Sequence, residues 1–97
     1  MQNLSPKESK DLIKTGTAII LDIRTKEEYD DKHIQTAVNL DCHSYNFKEK
    51  LENLDKDKTY LVHCEHGVRS RAVCAMMDEM SFRDVYNMKG GLNHFHL

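Results

Sequence analysis

Four short apolar runs, Ala18–Ile23, Ala37–Leu40, Tyr60–His63 and Asp84–Met88, alternate along the chain with segments whose apolar residues recur at helical spacing. That alternation restricts the possible folds more than any other property of the sequence. The first run, Ala18-Ile19-Ile20-Leu21-Asp22-Ile23, is rich in branched residues, as strands covered on both faces are. Strands joined through helices run parallel, because each crossover returns the chain to the same end of the sheet. The expected architecture is therefore α/β, with a small, mainly parallel central sheet flanked by helices on both faces.

Helix boundaries are marked by local chemistry. In Ser5-Pro6-Lys7-Glu8 the serine can cap, proline suits the first helical position, and Glu8 completes a capping box. Leu12 and Ile13 supply that helix's apolar face, and Gly16 ends it. Thr25-Lys26-Glu27-Glu28 repeats the box, which predicts a short helix over Lys26–Asp31 leading to His33-Ile34. Residues 41–47 read as a connector, Phe47–Leu54 as a third helix, Asp55–Lys58 as a polar turn and Arg71–Met80 as a fourth helix. Gly90-Gly91 breaks the chain before a tail, His94-Phe95-His96-Leu97. With no repeat, linker or low-complexity segment, residues 1–97 are expected to form one domain.

Charge and composition exclude several classes. Fourteen Lys plus Arg against 16 Asp plus Glu leave no basic footprint for nucleic acid, so a small-molecule or protein partner is expected. No apolar run approaches the ~20 residues that span a bilayer, and Met1–Leu4 carries neither a charged leader nor an apolar core. A soluble, cytoplasmic protein that contacts no membrane is the expectation. Cys42, Cys64 and Cys74 are odd in number and lack C-x-x-C spacing, which fits a reducing compartment.

The chemistry concentrates where Tyr60-Leu61-Val62-His63-Cys64 runs into Glu65-His66-Gly67-Val68-Arg69-Ser70 and then a helix. A cysteine at the end of a buried strand faces the amide-rich, positive end of the helix that follows. A free thiol near pKa ~8.5 is only about 3% ionised at pH 7, and lowering that value by two units takes about 2.7 kcal/mol. A helix N-terminus supplies ~0.3–2 kcal/mol, and converging amides and Arg69 add to it. Gly67 lets the turn curl its amides inward. Glu65 opposes the anion and is expected to point outward.

On these residues the chain resembles the rhodanese-like domain, a sulfurtransferase family, in its single-domain form. The family's Asp-x-Arg element, followed by Glu and an aromatic, corresponds to Asp22, Arg24, Glu28 and Tyr29. Its Gly-His-Ile-x-Gly-Ala element is Lys32-His33-Ile34-Gln35-Thr36-Ala37, with both glycines replaced. The Cys-x-x-Gly-x-Arg-Ser loop is Cys64, Gly67, Arg69 and Ser70. The closing Gly-Gly-x-x-x-aromatic element is Gly90, Gly91 and Phe95, where tryptophan is more usual, and Ser81-Phe82 stands where Gly-Phe is common.

The resemblance implies a three-layer rhodanese-like fold and a sulfurtransferase in which Cys64 is catalytic. Cys64 would take a sulfane sulfur from thiosulfate, a polysulfide or a persulfide and pass it to cyanide or a thiol. Glu65, His66, Gly67, Val68 and Arg69 would bind the donor or persulfide. A protein can serve as sulfur donor or acceptor, and no cofactor or metal is implied.

The same residues admit other readings. Thiolate phosphatases and arsenate reductases need an arginine six positions after the cysteine, and here that position is Ser70. A non-enzymatic binding or regulatory module on the same fold is the other alternative. Cys42 is either a resolving thiol or a bystander, Cys74 reads as core, and the His66 ring is an anion contact or a solvated loop side chain. Arg69 serves anion contact or loop support, and Asp22 with Arg24 is expected to fix the strand exit as an ion pair. The histidine and cysteine pairs lack the spacing of a structural zinc site.

Overall fold

The computed structural model describes residues 1–96, so the last tail residue, Leu97, lies outside them. Its elements are β1 (Gln2–Leu4), α1 (Pro6–Thr15), β2 (Ala18–Asp22), α2 (Lys26–Asp31), β3 (Val38–Asn39), α3 (Phe47–Glu52), β4 (Thr59–His63), α4 (Val68–Glu79), β5 (Asp84–Met88) and a closing 3₁₀ turn (Leu92–His94). All strand pairs are parallel, in the order β1-β5-β4-β2-β3. The expected α/β architecture is the observed one.

Both predicted capping boxes form. Ser5 Oγ accepts from the Glu8 amide while Glu8 accepts from the Ser5 amide, and Thr25 and Glu28 repeat the exchange. Gly16 closes α1 in the left-handed region.

Alternation along the strands divides the core in two. Tyr60 and Val62 of β4 face α3 and α4, packing with Leu21, Phe47, Leu51, Val73 and Met77. Leu61, between them, faces the other way with Ile20, Ile34, Met88 and Leu92, and Leu12 and Ile13 of α1 cover that side. Every strand ends toward the same edge, so the loops after β2 and β4 converge there.

Most element ends fall within two residues of the sequence expectation, and the departures that bear on the site are larger. The third strand shrinks from Ala37–Leu40 to Val38–Asn39, because it pairs with β2 at only two positions. The fourth helix begins at Val68 rather than Arg71. Gly67, at φ 90°, turns the chain straight into the helix, so Val68, Arg69 and Ser70 form its first turn and only Glu65–Gly67 remain as loop. Finally, β1 is an edge strand without an apolar run to announce it, and it pairs Gln2, Asn3 and Leu4 with Tyr86, Asn87 and Met88.

Candidate active site

Cys64 stands one residue past the end of β4, whose pairing runs to His63 against β2 and to Val62 against β5. The tail locks the loop from behind: the Leu92 amide donates to Cys64 O and the Asn93 amide to Glu65 O, both at 2.9 Å. The loop and tail approach so closely that a Cβ on Gly67 would lie 3.0 Å from Gly90 N.

Within that loop the sulfur collects donors. The Gly67 amide donates to Sγ at 3.1 Å and the Ser70 amide at 3.4 Å, while Ser70 Oγ lies 3.4 Å from Sγ. Burial pushes the Cys64 thiol up, since the residue is only 1% exposed. Hydrogen bonding from the Ser70 hydroxyl and from the Ser70, Gly67 and His66 amides outweighs that cost, and the net direction is below an ordinary thiol. The site needs no metal to favour a thiolate.

The residues expected to bind substrate divide. The Gly67 amide donates to the sulfur at 3.1 Å, whereas the His66 side chain is exposed, as is Val68. Glu65 does not point outward as the sequence suggested. Arg24, 2% exposed, clasps Asp22 through Nε and Nη2 and has Nη1 left over, and that nitrogen meets Glu65 Oε1 at 3.2 Å. The loop carboxylate is thereby paired with a buried cation. Arg24 Nη2 also donates to Lys32 O at 2.7 Å, so one buried guanidinium joins the exit of β2, the end of α2 and the loop.

Arg69 leaves the first turn of α4 toward Glu28 on α2. Burial lowers the Arg69 pKa, but its bonds with Glu28 and the nearby Cys64 and Cys42 sulfurs raise it further, so its charge is constant. Ser70 is the contributor missing from the sequence expectation of substrate contacts. The signal was present in the Cys-x-x-Gly-x-Arg-Ser spacing, once Gly67 is recognised as the residue that starts the helix.

The other cysteines differ in kind. Cys74 is buried, and burial pushes its thiol up to about 12, which suits core packing. Cys42 lies half-buried beside His43, its thiol raised chiefly by burial. Asp41, Cys42 and His43 each bring a ligand atom within 4.8 Å of the others, three consecutive residues that fall short of a tetrahedral set. A cleft of about 880 Å³ lies against the first residues of β2, lined by Lys10, Ile13, Lys14, Ile34 and Phe95 among others, and includes no residue of the Cys64 loop.

A parallel five-stranded sheet that carries a cysteine in a cup of amides at its C-terminal edge is the arrangement of a rhodanese-fold domain. The family model of the rhodanese-like domain matches residues 5–97, and the chain belongs to that family. It is 33% identical over 90 residues to the thiosulfate sulfurtransferase GlpE of Coxiella burnetii, covering 93% of this chain and 82% of the relative. The namesake from Actinobacillus succinogenes is 33% identical over 88 residues, covering 91% and 78%. Among solved structures, a rhodanese-like domain protein from Staphylococcus aureus superposes with a TM-score of 0.86 at 26% identity, covering 99% of this chain and 92% of that one. No helix among the described residues is long and apolar enough to cross a membrane.

Proposed function

We propose that this chain is a rhodanese-type sulfurtransferase working through a persulfide on Cys64, with residues 1–97 as the functional unit. The observation that carries the reading is the convergence of the Gly67 and Ser70 amides on Cys64 Sγ. Fixed N–H groups stabilise a thiolate before attack and the persulfide anion after it, with no reorganisation between the two.

With thiosulfate as donor, the Cys64 thiolate attacks the outer sulfur, an S–S bond forms on Cys64, and the S–S bond of the donor breaks to release sulfite. Cyanide or a thiolate then attacks the terminal sulfur and leaves with it, which restores the Cys64 thiolate. Charge is conserved in both steps. The Glu65–Arg24 pair supports an anionic donor, because the carboxylate next to Cys64 in the chain already has a cationic partner. Cys64 is buried, so the donor reaches Sγ only as the loop yields, and the exposed His66 and Val68 side chains flank that movement. A small donor and a thiol or cyanide acceptor fit this site, and a protein persulfide is an alternative donor. Three free thiols suit a reducing compartment such as the cytoplasm.

The test is intact-protein mass spectrometry after exposure to thiosulfate or polysulfide. A gain of one sulfur that prior alkylation of Cys64 blocks, with thiocyanate formation lost in Cys64→Ser but kept in Cys42→Ser and Cys74→Ser, is the expected result. A protein that neither gains sulfur on Cys64 nor transfers it would instead be a binding module on this fold.

A further inference from the structure

The sulfur lies at one end of a buried polar chain that crosses α4 and the sheet edge. Cys64 Sγ is 3.4 Å from Ser70 Oγ, Ser70 Oγ donates to Asn87 Oδ1 on β5 at 2.5 Å, and Asn87 Nδ2 donates to Asn3 Oδ1 on β1 at 3.0 Å. Ser70 and Asn87 are both buried, Asn87 to 1% exposure, and Asn3 is exposed at the end of the chain. The strand register sets the last link, because Asn3 and Asn87 are directly paired residues of β1 and β5.

Ser70 has a single hydroxyl proton and two claimants for it. A neutral thiol donates to Ser70 Oγ and leaves the hydroxyl free to donate to Asn87. A thiolate or persulfide anion needs the hydroxyl turned toward sulfur, and Asn87 Oδ1 then loses its donor inside the protein. Asn87 could escape that loss by turning its amide, but Asn3 Oδ1 holds Nδ2 on the far side.

We infer that Asn87 is a positioning residue for the sulfur chemistry: its carbonyl, oriented by Asn3, competes with Cys64 for the Ser70 hydroxyl and so moderates ionisation of the sulfur. β1 thereby acts on the nucleophile without touching it. The inference rests on Cys64 being the reacting thiolate. The charged and titratable groups facing Cys64 are Arg69 and Cys74 from α4 and Cys42 from the connector. Glu65 is paired with Arg24, and the His63 ring meets the Cys64 carbonyl through Nδ1 and lies 3.5 Å from Asp22 through Nε2. None of these groups is altered by changing Asn87 or Asn3.

The experiment is the pH dependence of iodoacetamide modification of the full chain, read on the Cys64 peptide by mass spectrometry. Asn87→Leu removes the competing acceptor, so modification below the wild-type midpoint speeds up about three- to tenfold, and the midpoint falls. Ser70→Ala slows it by a similar factor, and adding Asn87→Leu to Ser70→Ala changes nothing further, since no hydroxyl remains to redirect. Should Asn87→Leu fold poorly, the exposed partner gives the same answer: Asn3→Ala lets the Asn87 amide turn and lowers the midpoint, whereas Asn3→Asp keeps an acceptor there and does not lower it. Midpoints unchanged or raised in both Asn87→Leu and Asn3→Ala, or an Asn87 effect that survives in Ser70→Ala, would overturn the inference. Alkylation requires no sulfur donor, so a protein that titrates this way but takes up no sulfur refutes the proposed function and leaves the inference standing.

Discussion

Arg69 and Glu28 meet across two helices, with Nη1 to Oε1 and Nη2 to Oε2 both at 3.4 Å. Glu28 Oε1 also accepts from the amide and hydroxyl of Thr25, so the carboxylate that caps α2 anchors the first turn of α4. The pair is about one-third exposed on each side, at 32% and 34%, so its worth to stability is below ~1 kcal/mol. Arg69→Gln is therefore expected to lower Tm by only a few degrees while reducing kcat/KM for thiosulfate about tenfold, roughly 1.4 kcal/mol of transition-state stabilisation. Thermal unfolding and thiocyanate assays on one preparation separate these effects. A large Tm loss with unchanged kcat/KM would make Arg69 a purely structural tie.

His63 predicts an acid weakness. Its Nδ1 lies 3.1 Å from Cys64 O and must donate there, which leaves a bare Nε2, without a hydrogen-bond partner, 3.5 Å from Asp22 Oδ2. Burial lowers the His63 pKa, and the attraction of Asp22 does not restore it. The group is neutral when folded, so its stabilisation is complete above the ordinary histidine value. As pH falls below that value the unfolded chain binds a proton that the folded one refuses, and stability drops by up to about 1.4 kcal/mol per pH unit. His63→Gln should show a flatter urea-stability profile between about pH 6.5 and 5 than wild type, whatever its baseline. Parallel profiles would show that His63 accepts a proton in the native state.

What was legible in the sequence was local. The boxes at Ser5 with Glu8 and Thr25 with Glu28 lie within one turn of chain, and the apolar runs declared the central strands through composition alone. What stayed hidden depended on distant partners. Gln2-Asn3-Leu4 carries one apolar residue and becomes a strand only because β5, about 80 residues later, offers an edge to it. Glu65 looked free to face solvent because its partner Arg24 is 41 residues away. Ser70 belongs to the sulfur site because Gly67 starts the helix early and brings that first turn over Cys64, a backbone choice that spacing suggests only indirectly.

Cys64 and Cys74 predict opposite alkaline behaviour. The folded Cys64 ionises more readily than an unfolded thiol, so its contribution to stability grows as pH rises to the ordinary thiol value and is constant above it. Cys74 resists ionisation until about 12, so above the ordinary value of 9.0 the unfolded state gains and the fold weakens. The loss approaches 1.4 kcal/mol per pH unit, roughly, across that interval. Cys74→Ala should lose less stability than wild type between pH 9 and 11, while Cys64→Ser should keep the wild-type slope there. Denaturant midpoints measured under reducing conditions decide it, and equal slopes for Cys74→Ala and wild type would place the Cys74 thiol in contact with solvent.

Two residues occupy backbone conformations that suit neither of them. Thr36 and Ser81 have φ of 72° and 69°, the only non-glycine residues in the left-handed region among the described residues. Both stand where the family resemblance places glycine, the residue that adopts this conformation freely. The cost of a side chain there is about 1–2 kcal/mol, and branching at Cβ makes Thr36 the worse case. Glycine also has more unfolded conformations to lose, which offsets part of the gain. Thr36→Gly is therefore expected to stabilise by roughly 1 kcal/mol, raising Tm by about 4–8 °C, with Ser81→Gly giving less and the two adding. Because both turns lie outside the Cys64 loop, sulfur transfer should be unchanged. A fall in Tm for Thr36→Gly would mean that the threonine side chain repays its strain through contacts that outweigh the backbone cost.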